Sequence, residues 1–326
     1  MEIIPHHSGH NYQFGLIITQ MEEEFILSDY NINIKERMVK EVHSNFPQSN
    51  LNDIAIQSIS HKEQVGFLFG ELTVLHHKMF GGTSPAIYQA AAAVEILILS
   101  FDLFDDLQDD DSFGTPWSTW DSALTLNLAL GLLQLSTKMM HEIQFPNDGW
   151  KCFERLNLVA INGQHADILN NIDTEEQYLE TTAQKAGSLV AMASLVGTSL
   201  AIEQYHDIVE NYCIQLGIAE QIKNDLNDIL SVEKSDWLLR KKSLPILYLF
   251  DNNTGPDILN YYRGTVSFDE LQTKKELVKE ILFDSGSMMY AQVILRKHQL
   301  SASEQLRALP VTNMYKEKLI NLFKTN

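Results

Sequence analysis

Residues Ala90-Ala-Ala-Ala-Val-Glu-Ile-Leu-Ile-Leu-Ser-Phe-Asp-Leu-Phe-Asp-Asp-Leu-Gln-Asp-Asp-Asp111 decide how this chain is read. The part from Ala90 to Phe104 is largely apolar and predicts a buried helix. Its far end carries six acids in ten residues, at positions 102, 105, 106, 109, 110 and 111, with no basic neighbour. If the helix continues, Asp105 and Asp109 stand at i and i+4, so their carboxylates share a face and suit one hard cation. Like charges at that spacing destabilise a helix by about 0.2–0.5 kcal/mol per pair. The cluster is therefore costly unless a metal neutralises it, although Asp-Asp-x-x-Asp by itself reads more simply as a solvated helix end.

A second stretch changes that balance. Gly217-Ile-Ala-Glu-Gln-Ile-Lys-Asn-Asp-Leu-Asn-Asp228 again ends an apolar helix in oxygen donors at i and i+4, here Asn224 and Asp228. Two facing helices that each offer such a pair suit a Mg²⁺ cluster holding a diphosphate. Asp106 and Asp225 are rotated about 100° from their neighbours, which makes them outer or water-mediated metal ligands.

The rest of the chain reads as helix too. Its eight prolines lie far apart, and 98 residues between Pro146 and Pro245 contain none. Leu124, Leu126, Leu128, Leu130, Leu132, Leu133 and Leu135 fill a helix that is apolar nearly all round. No Asn-Gly or Asp-Gly hairpin sits between β-branched runs. The expectation is an all-α protein of about a dozen helices, with residues 1–326 forming a single domain.

Composition limits the partners. With 24 Lys and Arg against 43 Asp and Glu, the formal net charge of −19 argues against nucleic acid and against polybasic docking on anionic lipid. At 44% hydrophobic and 21% charged, the chain has enough apolar side chains for a large core. Cys152 and Cys213 form no disulfide or zinc pattern, and the first residues lack the basic start and apolar run of a signal peptide. Gly187 to Ile202 is a 16-residue weakly polar run, short of the roughly 20 residues that span a bilayer. The setting expected is cytoplasmic, at most peripheral to a membrane. His76-His77 is expected to be solvent-exposed, because adjacent residues face different ways on a helix. Met139-Met140 and Met288-Met289 read as core or interface filler. Trp117, Trp120, Trp150 and Trp237 read as anchors, the first two placed near enough to the acids to meet an acceptor.

On these motifs the sequence resembles the all-α trans-prenyltransferases, the polyprenyl diphosphate synthase family. Asp105-Asp-Leu-Gln-Asp109 resembles the first aspartate-rich motif, and Gly217 to Asp228 the second, with Gln221 in register and Asn224 where an Asp usually leads. Gly163-Gln-His-Ala-Asp167 matches Gly-Gln-x-x-Asp. Tyr178 followed by Lys185 matches the segment whose lysine contacts the allylic diphosphate, and Lys241-Lys-Ser-Leu-Pro245 matches Lys-x-Thr-x-Pro. The resemblance implies an isoprenoid-synthase-type bundle with a central cavity. It also implies two or three Mg²⁺ ions on Asp105, Asp106, Asp109, Asn224, Asp225 and Asp228. Lys185, Lys241 and Gln221 then face the diphosphate, and the enzyme is a homodimer.

The departures concern the acceptor. Gly81-Gly82 is followed by Thr83-Ser84-Pro85 rather than Lys-Arg, Ile98 stands where relatives place a histidine, and Ser112-Phe113-Gly114 replaces Arg-Arg-Gly. A −19 chain lacking those cations holds a second diphosphate poorly. The pattern resembles the ComQ-type isoprenyl transferases, which implies transfer of a farnesyl or geranyl group to a tryptophan of a competence-pheromone precursor peptide in quorum sensing. Asp105, Asp109, Lys185 and Lys241 are then the catalytic set, ionisation is dissociative, and indole C3 attacks the allylic cation. Phe101, four residues before Asp105, resembles the bulky residue that shortens the product tunnel to C10 or C15. A short-chain prenyl diphosphate synthase, a terpene cyclase and a non-catalytic partner subunit are the alternatives.

Overall fold

The computed structural model describes residues 30–109, 112, 114–231 and 235–323. The N-terminal reading, Asp110, Asp111 and Phe113 lie outside them. In chain order the helices are α1 (30–45), α2 (Ser49–Val65), α3 (Leu68–Met79), α4 (Ile87–Asp109), α5 (Ser122–His141), α6 (Asn147–Leu169), α7 (Glu175–Thr182) and α8 (Ser188–Ile202). They continue with α9 (Asp207–Asp228), α10 (Ser235–Leu238), α11 (Leu244–Asn252), α12 (Pro256–Tyr262), α13 (Phe268–Gln272), α14 (Lys275–Asp284), α15 (Ser287–Ala308) and α16 (Asn313–Leu322). A 3-10 turn, Pro116–Thr119, precedes α5, and a π-helical turn, Ala183–Gly187, fuses α7 to α8. No strand occurs among the described residues. The excess over a dozen comes from pieces such as α10, α12 and α13, each of seven residues or fewer.

Helices that are apolar on every side belong in the interior, and α4 and α8 follow that rule. All residues from Ala90 to Ser100, and all from Val190 to Ser199, are buried. Two helical spans, Ile87–Asp109 and Glu175–Ile202, are long and apolar enough to cross a membrane by length and composition. Their apolar windows are 72% and 67% buried inside the bundle. Helix α5 differs from its leucine pattern. Leu128, Leu132 and Leu135 pack on α4, whereas Leu124, Leu126 and Leu130 remain about half exposed.

One core gathers α1–α5, α8 and α16, and a second gathers the later part of α9 with α11–α15. Helix α9 packs against α8 on one side and α15 on the other and joins the two.

The expectation for His76-His77 is corrected: both rings are buried. Facing different ways on α3 does not require facing water when α3 packs on both α4 and α8. His76 Nδ1 donates to the Leu72 carbonyl at 2.7 Å, and its Nε2 accepts from the Tyr212 hydroxyl. Burial pushes its pKa down to about 4, so the ring is neutral. His77 packs its ring against Gly82, where a Cβ would lie 2.2 Å from it. Met139, Met140 and Met288 are core, while Met289 is exposed.

Candidate active site

The C-terminal ends of α4 and α9 meet at one cleft of about 380 Å³, closed by the end of α6, the α7–π turn and the α10–α11 connection. Asp105, Asp109, Asp167, Tyr178, Lys185, Gln221, Asn224, Asp225, Asp228, Asp236 and Lys241 all line it. The peptide dipoles add negative potential at helix C-termini. Both acidic motifs sit on such termini, so backbone and side chains together favour cations.

Close backbone packing brings these ends together. A Cβ on Gly163 of α6 would lie 2.3 Å from the Lys185 amide nitrogen, and one on Gly217 of α9 would lie 2.5 Å from Gly187 Cα. Only hydrogen at those positions lets α6 and α9 press against the π turn, and single-turn π segments recur at functional sites. Lys241 is fixed differently. Arg240 takes a left-handed conformation (φ 54°), and the Lys241 amide donates to the Asp236 carbonyl at 2.9 Å. The Tyr262 hydroxyl donates to the Lys241 carbonyl at 2.9 Å.

Asp167 lies between the two lysines. Its Oδ2 is 2.9 Å from Lys185 Nζ and 3.0 Å from Lys241 Nζ. Lys185 also reaches Asp105 at 3.2 Å, and Lys241 reaches Asp109 at 2.6 Å. Burial opposes the charge of both ammoniums, but the surrounding carboxylates outweigh it and hold both pKa values above the usual lysine range. Burial raises the Asp167 carboxyl as well, and the two lysines overcome it to leave a pKa below the usual value.

The predicted site residues divide into two groups. Asp105, Asp109, Lys185 and Lys241 form the ion-pair chain, and Asn224 and Asp228 line the cleft opposite. Asp106 does not line it: its Oδ2 accepts from Trp117 Nε1 at 2.6 Å. Asp225 accepts from the Tyr178 hydroxyl at 2.6 Å and from Gln221 Nε2 at 2.8 Å. Burial moves its pKa up to about 6, against the pull of those two donors. Gln221 is thus spent on Asp225, and Trp117 on Asp106. Two acids of the cleft fall outside the predicted set. Asp167 was legible as the last residue of Gly163-Gln-His-Ala-Asp167, whereas Asp236 belongs to no motif.

The reading of Gly81-Gly82 needs correction. That turn precedes the start of α4 at Ile87, and Asp105 is 18 residues further on, about 27 Å at 1.5 Å per residue. It does not line the cleft. Besides Lys185 and Lys241, Lys62 of α2 also meets the acidic half of α4, 2.9 Å from Asp102.

All donors from the two motifs are hard oxygens. Among the described residues no three His, Cys, Asp or Glu side chains close round one point. Mg²⁺ takes one or two carboxylates and fills its octahedron with substrate phosphate and water. Separate oxygen pairs on α4 and α9 fit that habit.

The sequence pattern of the polyprenyl synthetase family matches residues 70–281. The chain belongs to the polyprenyl synthetase family. Membership makes it a prenyl-transferring enzyme, and the resemblance read from the motifs stands. Among its relatives is the tryptophan prenyltransferase ComQ of Bacillus subtilis (strain 168), 33% identical over 85% of this chain and 92% of that protein. ComQ of Bacillus spizizenii is 30% identical over 83% of this chain and 97% of that one. Among solved structures, a polyprenyl synthase from Caulobacter crescentus in complex with calcium and isoprenyl diphosphate superposes with a TM-score of 0.76. It shares 20% identity and covers 92% of this chain and 93% of its own. At that identity the likeness supports the all-α synthetase fold.

Proposed function

We propose that this family member transfers a farnesyl or geranyl group from an allylic diphosphate to a tryptophan of a competence-pheromone precursor peptide. The observation that carries the reading is a donor cleft built from both motifs, in a chain 33% identical over 85% of its length to a tryptophan prenyltransferase. In the same reading residues 1–326 form one cytoplasmic domain that works as a homodimer. The half-exposed leucines of α5 support the dimer by offering apolar surface to a second copy.

Asp105 and Asp109 on one side and Asn224 and Asp228 on the other would hold two or three Mg²⁺ ions, which would supply positive charge to the leaving diphosphate. Asn224 brings no charge to its pair, so the α9 side holds metal more weakly. With those acids engaged by metal, Lys185 and Lys241 would be free to donate charge-assisted hydrogen bonds to diphosphate oxygens. Asp167, at 2.9 and 3.0 Å from the two ammoniums, would keep them beside the cleft. The Tyr178 hydroxyl and Gln221 fix Asp225, and through it the last turn of α9. The prenyl chain runs along α4 towards Phe101, where apolar walls exclude water from the cation.

The test offers labelled farnesyl or geranyl diphosphate with Mg²⁺ alone, with isopentenyl diphosphate, or with a tryptophan-containing precursor peptide. Label is expected on the peptide. Efficient labelling of isopentenyl diphosphate, or a volatile product with no labelled peptide, overturns the reading.

A further inference from the structure

Glu95, Asp102 and Asp109 recur every seven residues along α4, with Asp105 beside them, so they form one stripe that continues the first motif into the protein. Lys62 bridges two members of that stripe. Its Nζ lies 2.9 Å from Asp102 Oδ2 and 3.8 Å from Glu95 Oε2. Glu95 is fully buried and accepts from the Gly70 amide at 2.6 Å through Oε1, while its Oε2 has no hydrogen-bond partner. Such an orphaned buried oxygen is costly unless the structure uses it. Asp102, by contrast, has a side chain 45% exposed. Beside this group the His61 and Trp117 rings meet edge to face at 5.4 Å, and Trp117 packs on Trp120 at 6.4 Å.

The donor cleft is enclosed by α6, the π turn, α9 and the α10–α11 connection. An acceptor must therefore approach the reacting carbon from the remaining side of α4, where α2 and the 3-10 turn lie. That side offers an aromatic wall and one partly exposed carboxylate, a turn of helix before Asp105. Transfer to indole leaves a step for which the cleft's own carboxylates are already committed. The new bond joins indole C3 to prenyl C1, and the C1–O bond breaks with its electron pair going to diphosphate. The positive charge then rests on the ring as C2=N1⁺–H, and the N1 proton needs an acceptor.

Resting on the tryptophan reading above, we propose that Asp102 is that base: its carboxylate accepts the N1–H of the acceptor indole and takes the proton as the C3–C1 bond forms. Lys62 holds the Asp102 carboxylate at 2.9 Å before the reaction. When Asp102 turns to the indole, the ammonium keeps Glu95 Oε2, 3.8 Å away, as its remaining neighbour. Asp102 then returns the proton to solvent through its exposed side.

The test compares wild type, Asp102→Asn and Asp102→Glu on a tryptophan peptide and on the same peptide carrying 1-methyltryptophan. Binding of a non-ionising thio-diphosphate analogue and circular dichroism serve as controls. General-base loss is worth about 10²–10⁴-fold. Asp102→Asn should lose transfer to the tryptophan peptide by that order, Asp102→Glu should recover part of it, and analogue binding should shift less than about twofold. On the 1-methyl peptide, which has no N1 proton to give, wild type and Asp102→Asn should transfer at equal rates. Equal losses on both peptides, or wild-type rates for Asp102→Asn, overturn the proposal. A wild type that labels no tryptophan peptide refutes the acceptor reading itself.

Discussion

Gly163→Ala is the smallest change that tests how the cleft is held together. The added Cβ would lie 2.3 Å from the Lys185 nitrogen and 2.6 Å from the Gln184 carbonyl carbon. Both are backbone atoms, so no side chain can rotate to make room. Restoring a contact of about 3.4 Å requires α6 and the π turn to separate by about 1 Å, and overpacking of this kind costs about 1–3 kcal/mol. At about 2–4 °C per kcal/mol, the midpoint of thermal unfolding should fall by roughly 2–12 °C. The same shift lengthens the 2.9 Å Lys185–Asp167 contact towards 4 Å. Misplacing a catalytic group by about 1 Å can cost about 10²-fold in rate. The expected result is a folded protein, by circular dichroism, with a modest fall in thermal midpoint and a kcat for prenyl transfer lowered by about two orders of magnitude. A variant with wild-type kcat and an unchanged midpoint would refute the view that this close approach sets the position of Lys185.

Asp105→Ala should abolish prenyl transfer while leaving the helical circular dichroism signal unchanged; loss of folding would make the acidic helix end structural. Burial raises Glu71 and Glu95 to about 7 from their ordinary 4.5. The folded state therefore binds more protons than the unfolded state between those values. Stability from these groups is full below about 4.5 and is lost as pH rises through 7. Glu71→Gln can still accept from Asn31, whose Nδ2 lies 2.6 Å from Glu71 Oε1. Thermal melts should show the variant more stable than wild type at pH 8, with the gap closing towards pH 5. A gap that does not change with pH would mean that Glu71 is not neutral in the fold.

The motif pairs were legible in sequence because each is a local matter. Asp105 with Asp109, and Asn224 with Asp228, depend only on helical periodicity, and α4 and α9 carry them at the cleft. The same periodicity placed Asp106 and Asp225 away from their neighbours, but the donors that claim them, Trp117 and Tyr178, come from other elements. The histidine pair misled for a related reason. Local geometry gives the angle between two side chains, whereas burial depends on what packs there.

By itself the sequence determined the helical class, the two oxygen-donor pairs, the lysines matched to them and the family. The class and the donor pairs follow from composition and from spacings of a few residues, the lysines and the family from the resemblance of the motifs. The tertiary structure alone decided that Lys185 meets Asp105 across 80 positions, that Lys241 meets Asp109 across 132, and that Asp167 joins the two lysines. It also set Gly81-Gly82 outside the cleft and paired Lys62 with Asp102. Pairings at that separation arise from the way α2, α4, α6 and α9 pack, and no periodicity along a single helix encodes them.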